Sequence, residues 1–227
     1  MARFSELLQA LNQLRLVIEV GRHQGGLNNV ADLVDSFLDT PQMQACVERF
    51  RALPGGAEMM ASRYPPLQPA IDELSQLPPH SLGYRYARLI LDQGYDPEFF
   101  RPRPIQSDAH WLTQRIATTH DIHHVVGGFC TRPEGEAGVL AITACQIGFP
   151  AYVSLVNAAT LGRFRLQPQQ FAAISRAVNH GISIGFNAQP LVCARWEEGW
   201  QRSVAEWRQQ LGIGHAADNE AYGLEAQ

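Results

Sequence analysis

The 227-residue chain contains no lysine, because all 18 of its basic residues are arginines. This absence excludes enzymes that form a lysine Schiff base, including the pyridoxal-phosphate enzymes, and it excludes P-loop nucleotide-binding proteins. The chain also lacks a run of basic residues, and its formal net charge is −4. Nucleic-acid binding needs a positive surface. We therefore expect no nucleic-acid partner.

Cysteine is scarce, and its four copies form no C-x-x-C pair. They are Cys46, Cys130, Cys145 and Cys193. This spacing favours neither a disulfide framework nor a cysteine zinc knuckle, and it is typical of a reducing compartment. The N-terminal residues also lack the apolar core and cleavage site of a secretory signal. We therefore expect a cytoplasmic protein.

The composition, with 45% hydrophobic and 18% charged residues, is typical of a globular chain. Apolar residues recur at helical spacing without the alternation of strands, beginning with a helix predicted over residues 3–23. The sequence predicts an all-α fold, a single-domain bundle of about seven to nine helices with no significant sheet. This domain comprises residues 1–213, with the core and the polar cluster described below in 80–213. Residues 214–227 are predicted to form a loose C-terminal tail.

Residues 137–162 contain no charged side chain. A stretch of this length can span a bilayer, but polar residues interrupt it and the usual interfacial anchors are missing. We interpret it as a buried central helix that runs from Glu136 to about Leu161 and is kinked at Pro150. An adjacent hydrophobic pocket is a natural extension of this interpretation.

A last helix is predicted from Leu191 or Ala194 to Leu211. Helical spacing places three tryptophans on one of its faces. They are Trp196, Trp200 and Trp207. Such a face either docks onto the body of the protein or forms a homodimer interface, and the sequence leaves both options open.

The polar cluster is the pentapeptide H-D-I-H-H at 120–124, in a helix predicted from Ser107 to about Val126. At about 100° per residue, His120, Asp121 and His124 project from one arc, so they can converge on a divalent ion. A glycine-rich loop would bring Glu136, in the first turn of the next helix, back beside His124. Two imidazoles and two carboxylates form a nitrogen and oxygen set suited to zinc or another divalent metal.

Spacing alone leaves other interpretations open. His120, His123 and His124 occupy an equally wide arc, and a solvated helix surface would also explain the cluster. The apolar stripe of this helix lies between about 200° and 320° from His120 and contains Leu112, Ile116, Ile122 and Val126. His123 is either a proton-transfer or ligand-orienting group or an ordinary helix histidine. Arg132 in the following loop either contacts a substrate carboxylate or phosphate or lies in solvent.

The pattern His120-Asp121-x-x-His124, followed after eleven residues by Glu136, resembles the signature of the coenzyme Q biosynthesis protein 4 family. The surrounding segment T-H-D-I-H-H-V-V-G-G-F at 119–129 and the later segment W-E-E-G-W at 196–200 are also similar. The resemblance covers roughly residues 80–213. The sequence departs from the family pattern after Glu136, where many members have a lysine and this chain has A-G-V-L.

This resemblance implies an all-helical protein of ubiquinone biosynthesis. It implies that His120, Asp121, His124 and Glu136 are both the metal ligands, with zinc the expected ion, and the catalytic residues. The implied reaction is a metal-dependent, oxidative decarboxylation at C1 of a polyprenylated 4-hydroxybenzoate-type precursor, which is a carboxy-lyase activity. The implied partners are the polyprenyl quinone precursor or another isoprenoid lipid, other quinone-biosynthesis proteins, and the inner (cytoplasmic) membrane, with which the protein would associate peripherally.

Two other functions compete with this one. The first is a non-catalytic scaffold that binds a polyprenyl lipid or quinone and organises the enzymes of the pathway. The second is a helical His-Asp phosphohydrolase, which needs a further aspartate ligand later in the chain. No aspartate occurs between Asp121 and Asp218, so the sequence disfavours the phosphohydrolase.

Overall fold

The computed structural model describes residues 9, 12–17, 27–94, 104–214, 217 and 220–224. Within these residues every regular element is a helix, and the two β-bridges are isolated pairs, Ser81 with Ser203 and Phe129 with Gly223. The predicted all-α fold class is confirmed. Residues 12–17 are helical, as predicted, while most of the remaining predicted helix over 3–23 lies outside the described residues.

The named α-helices follow in chain order. They are α1 (Leu27–Asp35), α2 (Pro41–Ala52), α3 (Gly56–Ala61), α4 (Ile71–Leu74), α5 (Leu82–Gln93), α6 (Asp108–Gly127), α7 (Pro133–Ile147), α8 (Pro150–Leu166), α9 (Phe171–Asn187) and α10 (Val204–Leu211). Short 3₁₀ turns occupy Pro168–Gln170, Leu191–Cys193 and Trp196–Gly199.

Local capping signals determine several helix boundaries. Four hydroxyl side chains each accept a hydrogen bond from the backbone N–H three residues further on, which satisfies a donor left free at a helix start. They are Thr40, Ser81, Ser107 and Ser203. Gly94 and Gly128 end α5 and α6 in the left-handed conformation that glycine adopts without strain. The predicted boundaries of the helix that carries the polar cluster are therefore confirmed.

The long helix predicted from Glu136 to about Leu161 is wrong, because the structure has two helices there. Gly148 takes a left-handed conformation with φ of 68° and ends α7, and Pro150 occupies the first turn of α8. Proline lacks a backbone N–H and fits a helix start better than a helix interior, so the chain breaks at this point rather than kinking. Among the described residues no helix is both long and apolar enough to cross a membrane.

The predicted last helix is also wrong in extent. Two 3₁₀ turns precede α10, which begins only after Ser203, where Ser203 and Glu206 form a reciprocal capping box. The three tryptophans therefore do not share one helix face. Trp196 instead contacts Trp207 with ring centroids 4.8 Å apart, and Trp200 stacks on Tyr86 of α5.

The described residues of the predicted loose tail are anchored to the body of the protein. Ala217 and Tyr222 are buried. The backbone N–H of Cys130 donates to the carbonyl of Tyr222 over 2.9 Å, and the N–H of Leu224 donates to the carbonyl of Gly128 over 2.8 Å. These bonds hold the segment against the loop between α6 and α7.

Two groups of buried apolar side chains form the core, and α6 belongs to both. Its first half contributes Trp111 and Ile116 to one group, and its second half contributes Ile122 and Val126 to the other. Because α6 is packed along its whole length, the side chains on its remaining face are held in place by the core behind them.

Small residues allow α7 and α9 to pack closely. A Cβ at Gly181 of α9 would lie 2.0 Å from the carbonyl oxygen of Gly138 in α7, and one at Gly185 would lie 2.7 Å from the Cβ of Cys145. From the first contact to the second, the residue number rises in both helices, so α7 and α9 run in the same direction. Helix α8 connects the end of α7 to the start of α9 and therefore runs in the opposite direction. The junction of α8 and α9 therefore lies at the end of the bundle where α7 begins.

The close contact at Gly181 gives a testable prediction. We expect Gly181→Ala to lower the free energy of unfolding by about 1–3 kcal/mol, because the added methyl overpacks the α7–α9 contact. The matched control is Gly162→Ala in α8, where a Cβ meets no described atom within 4 Å; it should leave stability unchanged or raise it slightly. Urea unfolding measures both variants, and equal midpoints for Gly181→Ala and the wild type would contradict the packing described here.

Candidate metal centre

Three side chains on two helices form a compact cluster. His120 and His124 lie one turn apart on α6, and Glu136 lies in the first turn of α7. The two Nε2 atoms are 3.2 Å apart. The Glu136 carboxylate places Oε2 3.2 Å from Nε2 of His120 and Oε1 3.3 Å from Nε2 of His124. The structure thus confirms that the chain returns Glu136 to the side of the two histidines.

These separations fit a divalent metal ion. Zinc binds nitrogen and oxygen ligands at about 2.0–2.2 Å, so neighbouring ligands of a tetrahedral ion lie about 3.3–3.6 Å apart. Two of the three separations in the cluster lie just below this range and the third lies at its lower end, and the candidate ligand atoms of His120, His124 and Glu136 all lie within 4.8 Å of one another. The side chains could hold an ion with little rearrangement.

The loop between α6 and α7 positions the cluster. Gly128 ends α6 with φ of 74°, and Pro133 and Gly135 start α7 close to the loop, since a Cβ at Gly135 would lie 2.0 Å from the carbonyl oxygen of Cys130. The carbonyl of Phe129 in this loop accepts a hydrogen bond from Nδ1 of His124 over 3.1 Å. That bond fixes the ring orientation and leaves Nε2 free to act as a ligand.

Burial and mutual attraction together determine the charges in the cluster. The side chain of His124 has no exposure, that of His120 is 16% exposed and that of Glu136 is 34% exposed. Burial is the strongest influence on the pKa of His124 and of Glu136, and it opposes the charge of each. The adjacent carboxylate nevertheless raises the pKa of His124, and the two imidazoles lower the pKa of Glu136. The cluster thus favours a carboxylate beside a positive charge.

Asp121 is close to the cluster but is not among the three grouped residues in the described chain. Burial raises the pKa of its carboxyl, while the charges of His120 and His124 act in the opposite direction. On a helix Asp121 projects about 100° from His120, whereas His124 projects only about 40° from it. The role of Asp121 as a ligand therefore stays a prediction.

His123 lies in the core and not in the cluster. Its side chain is 1% exposed, and its ring meets Trp196 edge-on with centroids 6.0 Å apart. Burial, followed by the charges of His120, His124 and Arg115, lowers the pKa of His123 to about 3. We infer a neutral core histidine, so the alternative triad of three histidines is not assembled.

Arg132 is tied to the C-terminal segment. Its guanidinium donates hydrogen bonds to the carbonyl of Ala221 and to Glu134. The structure therefore gives this arginine a role in holding the anchored segment, and the predicted contact with a substrate anion stays a prediction.

Sequence reasoning missed Tyr152, which borders the cluster from α8. Its ring meets that of His120 with centroids 5.8 Å apart, and the residue is 6% exposed. Burial, followed by the charges of Glu136 and Asp121, raises the pKa of its hydroxyl. The phenol is therefore neutral near pH 7. Its only signal in the sequence is that a tyrosine, whose side chain carries a hydroxyl group, occurs in a stretch without charged residues.

The α7 half of the uncharged stretch 137–162 is packed in the core, and the hydrophobic pocket predicted beside the stretch stays a prediction. Val139, Ala141 and Ile142 of α7 are fully buried core residues. Apolar side chains are available at the surface only further along, where α8 exposes Val153 and Leu161. Core packing thus explains the first half of the uncharged stretch.

Comparisons with known proteins extend this picture. The chain is 30% identical over 146 residues to a ubiquinone biosynthesis protein COQ4 homolog, mitochondrial, of Aedes aegypti, which covers 63% of this chain and 52% of that protein. It is 31% identical over 146 residues to the ubiquinone biosynthesis protein COQ4, mitochondrial, of Eremothecium gossypii, covering 63% and 44%. The chain spans about half the length of these curated relatives. Both are named mitochondrial, and the cytoplasmic location of this chain stays a prediction.

A solved structure and a family model agree with these relatives. The crystal structure of a candidate ubiquinone biosynthesis protein from Nostoc punctiforme has a TM-score of 0.82 to this fold at 27% identity, covering 91% of this chain and 97% of that chain. The model of the family described as coenzyme Q (ubiquinone) biosynthesis protein Coq4 matches residues 27–217, well over half of the chain. On this evidence, the chain belongs to the Coq4 family of ubiquinone biosynthesis proteins.

Proposed function

We propose that this protein is a metal-dependent carboxy-lyase of ubiquinone biosynthesis that removes the carboxylate at C1 of a polyprenylated 4-hydroxybenzoate-type precursor. In the simple reaction the bond between the ring and the carboxylate breaks, carbon dioxide leaves and the ring carbon takes a proton. In the oxidative form a hydroxyl group replaces the carboxylate, and an oxidant such as dioxygen is needed. The observation that carries the proposal is the cluster of His120, His124 and Glu136 in a chain of the Coq4 family.

The ion would be held by His120, His124 and Glu136, with Asp121 proposed as a fourth ligand from the sequence pattern. A bound divalent ion, for which zinc is our proposal, supplies a Lewis acid that withdraws electron density from a carboxylate or phenolate oxygen. Glu136 is the most exposed of the three grouped side chains, so a substrate would approach from its side.

The surrounding residues support this chemistry in two ways. The Phe129 carbonyl fixes the orientation of His124, so the ligand is ordered before substrate binds. The ring of Tyr152 lies beside that of His120, and we propose that its neutral hydroxyl donates a hydrogen bond to an oxygen anion that develops at the site. The burial of His124 and Tyr152 limits access of bulk water to this face of the cluster.

The function is tested by measuring carbon dioxide release from a polyprenylated 4-hydroxybenzoate by the zinc-loaded protein. We expect turnover by the wild type. For Glu136→Gln we expect kcat/KM to fall by about 10-fold or more, because the substitution weakens a metal ligand. The control is Glu134→Gln in the same helical turn, where the carboxylate pairs with Arg132 instead. This variant should react like the wild type.

The same assay separates the enzyme from the scaffold. Analysis of the ring product distinguishes a proton at C1 from a hydroxyl group. If the wild type binds the prenylated substrate yet releases no carbon dioxide with any divalent metal or with dioxygen present, the enzyme proposal fails and a lipid-binding scaffold takes its place. In either case we propose that the protein works beside other quinone-biosynthesis proteins.

A further inference from the structure

The carbonyl groups at the end of α6 are bound by residues from the C-terminal part of the chain. The last carbonyls of a helix lack partners within the helix and need donors from elsewhere. Arg208 of α10 supplies two of these donors, from Nε to the carbonyl of Val126 over 2.8 Å and from Nη2 to the carbonyl of Val125 over 3.2 Å. One side chain therefore ties the last turn of α6 to α10.

Backbone groups of the anchored C-terminal segment bind the next two carbonyls. The N–H of Ala217 donates to the carbonyl of Gly127 over 3.3 Å. The N–H of Leu224 donates to the carbonyl of Gly128, the residue that follows α6, over 2.8 Å. Four consecutive carbonyls at the end of the helix are thus bound from α10 and the segment behind it.

Tyr222 of the same segment packs on Phe129, which lies in the loop that follows α6. The two rings stack with centroids 5.8 Å apart and planes 23° apart, and both residues are buried. The ring of Phe129 also meets that of His180 with centroids 5.4 Å apart, and a Cβ at Gly138 would lie 2.4 Å from it. Phe129 is therefore held between α7, α9 and the C-terminal segment.

Phe129 in turn holds His124 of the metal cluster through two hydrogen bonds. The N–H of Phe129 donates to the carbonyl of His124 over 3.0 Å. The carbonyl of Phe129 accepts from Nδ1 of His124 over 3.1 Å. The first bond fixes the backbone of His124, and the second fixes its imidazole ring. A displacement of Phe129 would therefore move Nε2 of His124, which is the candidate ligand atom.

We propose that four C-terminal residues position His124 for metal binding by holding Phe129 and the end of α6. These residues, which we call the C-terminal clamp, are Arg208, Ala217, Tyr222 and Leu224. The distances between a metal and its ligands vary by only about 0.2 Å, so a small displacement of His124 weakens binding. Groups that orient a ligand without binding the metal change the affinity by about 10- to 100-fold. The clamp residues are thus positioning residues.

This inference rests on the metal centre of the proposed function and not on the decarboxylation. The experiment therefore uses the full-length protein without substrate. Competition with a chromophoric chelator measures the affinity for zinc, and His120→Ala identifies the part of the signal that comes from the cluster. The visible absorption spectrum of the cobalt-loaded protein is the second readout, because it depends on the geometry of the ligands.

The first pair of variants tests the stacked ring of Tyr222. We expect Tyr222→Ala to lower the zinc affinity by about 10-fold and to change the cobalt spectrum, because Phe129 loses the ring that packs on it. Tyr222→Phe keeps the ring and removes only the hydroxyl, which contacts His180 at 3.4 Å. This conservative variant should match the wild type in both readouts.

The second pair tests the side chain that binds the end of α6. We expect Arg208→Met to lower the zinc affinity by about 10-fold, because two carbonyls lose their donors while most of the side-chain volume is kept. The matched control is Gln209→Met, which changes the next residue of α10, an exposed one. It should bind zinc like the wild type. Because Arg208 and Tyr222 belong to separate elements, misfolding of one variant leaves the other as the test.

The outcomes separate this inference from the enzyme proposal. Folded Tyr222→Ala and Arg208→Met that keep the wild-type affinity and cobalt spectrum would overturn the clamp and leave the enzyme proposal standing. Weaker binding by both variants, with no carbon dioxide released by the wild type, would support the clamp and remove the enzyme. A wild type that binds no divalent metal at the cluster would overturn both. Circular dichroism checks that each variant is folded.

Discussion

Replacing His120 by alanine is expected to lower the affinity for a divalent metal by more than about 100-fold, because loss of a direct ligand should exceed the 10- to 100-fold cost of losing a group that only orients a ligand. His120 is a favourable position for this test. Its Nε2 lies 3.2 Å from both of its partners in the cluster. Its side chain is also partly exposed, so its removal should disturb packing less than removal of the fully buried His124.

The measurement is competition with a chromophoric chelator, together with elemental analysis of the dialysed protein. The matched control is His110→Ala on the same helix, where the imidazole instead contacts the hydroxyl of Ser107 at 2.8 Å. This control should keep the metal. If His120→Ala retains the metal with wild-type affinity while its circular dichroism is unchanged, the assignment of His120 as a ligand is wrong.

Replacing Arg115 by methionine is expected to lower the free energy of unfolding by about 2–4 kcal/mol, because a buried charged donor is lost while its partner Glu197 keeps part of its exposure to solvent. Arg115 is 1% exposed and forms an ion pair with Glu197. Its guanidinium also donates to the carbonyls of Ala194 and Pro65 and lies over the ring of Tyr64. Methionine keeps most of the volume, so the loss reports the polar contacts that join α6 to two other chain segments, 64–65 and 194–197.

A neighbouring arginine supplies the control for this prediction. Arg195 lies over the same Tyr64 ring at the same distance of 5.1 Å and pairs with Glu58, but it is exposed to solvent. We expect Arg195→Met to leave the denaturation midpoint unchanged, because exposed pairs contribute little. Arg115→Met with Glu197→Gln should recover part of the loss, since no uncompensated carboxylate is left. Equal midpoints for Arg115→Met and Arg195→Met would contradict the role of burial.

The parts of the fold that were predictable from the sequence are those encoded over a few residues. Ser107 and Gly128 mark the two ends of α6 because each acts on backbone groups within one helical turn. The cluster was predictable for a similar reason. His120 and His124 are one helical turn apart. The glycine-rich loop that follows is short, so the start of the next helix, with Glu136, must lie near them.

The sequence already contained a signal for some features that the sequence analysis did not predict. His123 projects about 300° from His120, inside the apolar stripe between about 200° and 320°. Its burial against Trp196 therefore follows from the same helical wheel that groups the other two histidines. The break at Gly148 had a weaker signal, because proline is compatible both with a kink inside a helix and with the first turn of a new one.

Other features depend on contacts between distant parts of the chain and could not be predicted from a single sequence. Tyr152 meets His120 only because α8 turns back along α7, and Arg115 meets Glu197 across 82 residues. The anchored C-terminal segment is held partly by backbone bonds, such as that from Cys130 to Tyr222. Backbone bonds of this kind leave no pattern in the side chains.

The measurement that tests the central claim most directly is an anomalous difference map from crystals of the wild-type protein grown with zinc. The account predicts one strong peak about 2.0–2.2 Å from Nε2 of His120, Nε2 of His124 and a carboxylate oxygen of Glu136. A map without a peak between these three side chains, while zinc binds elsewhere on the protein, would contradict the assignment of this cluster as a metal site.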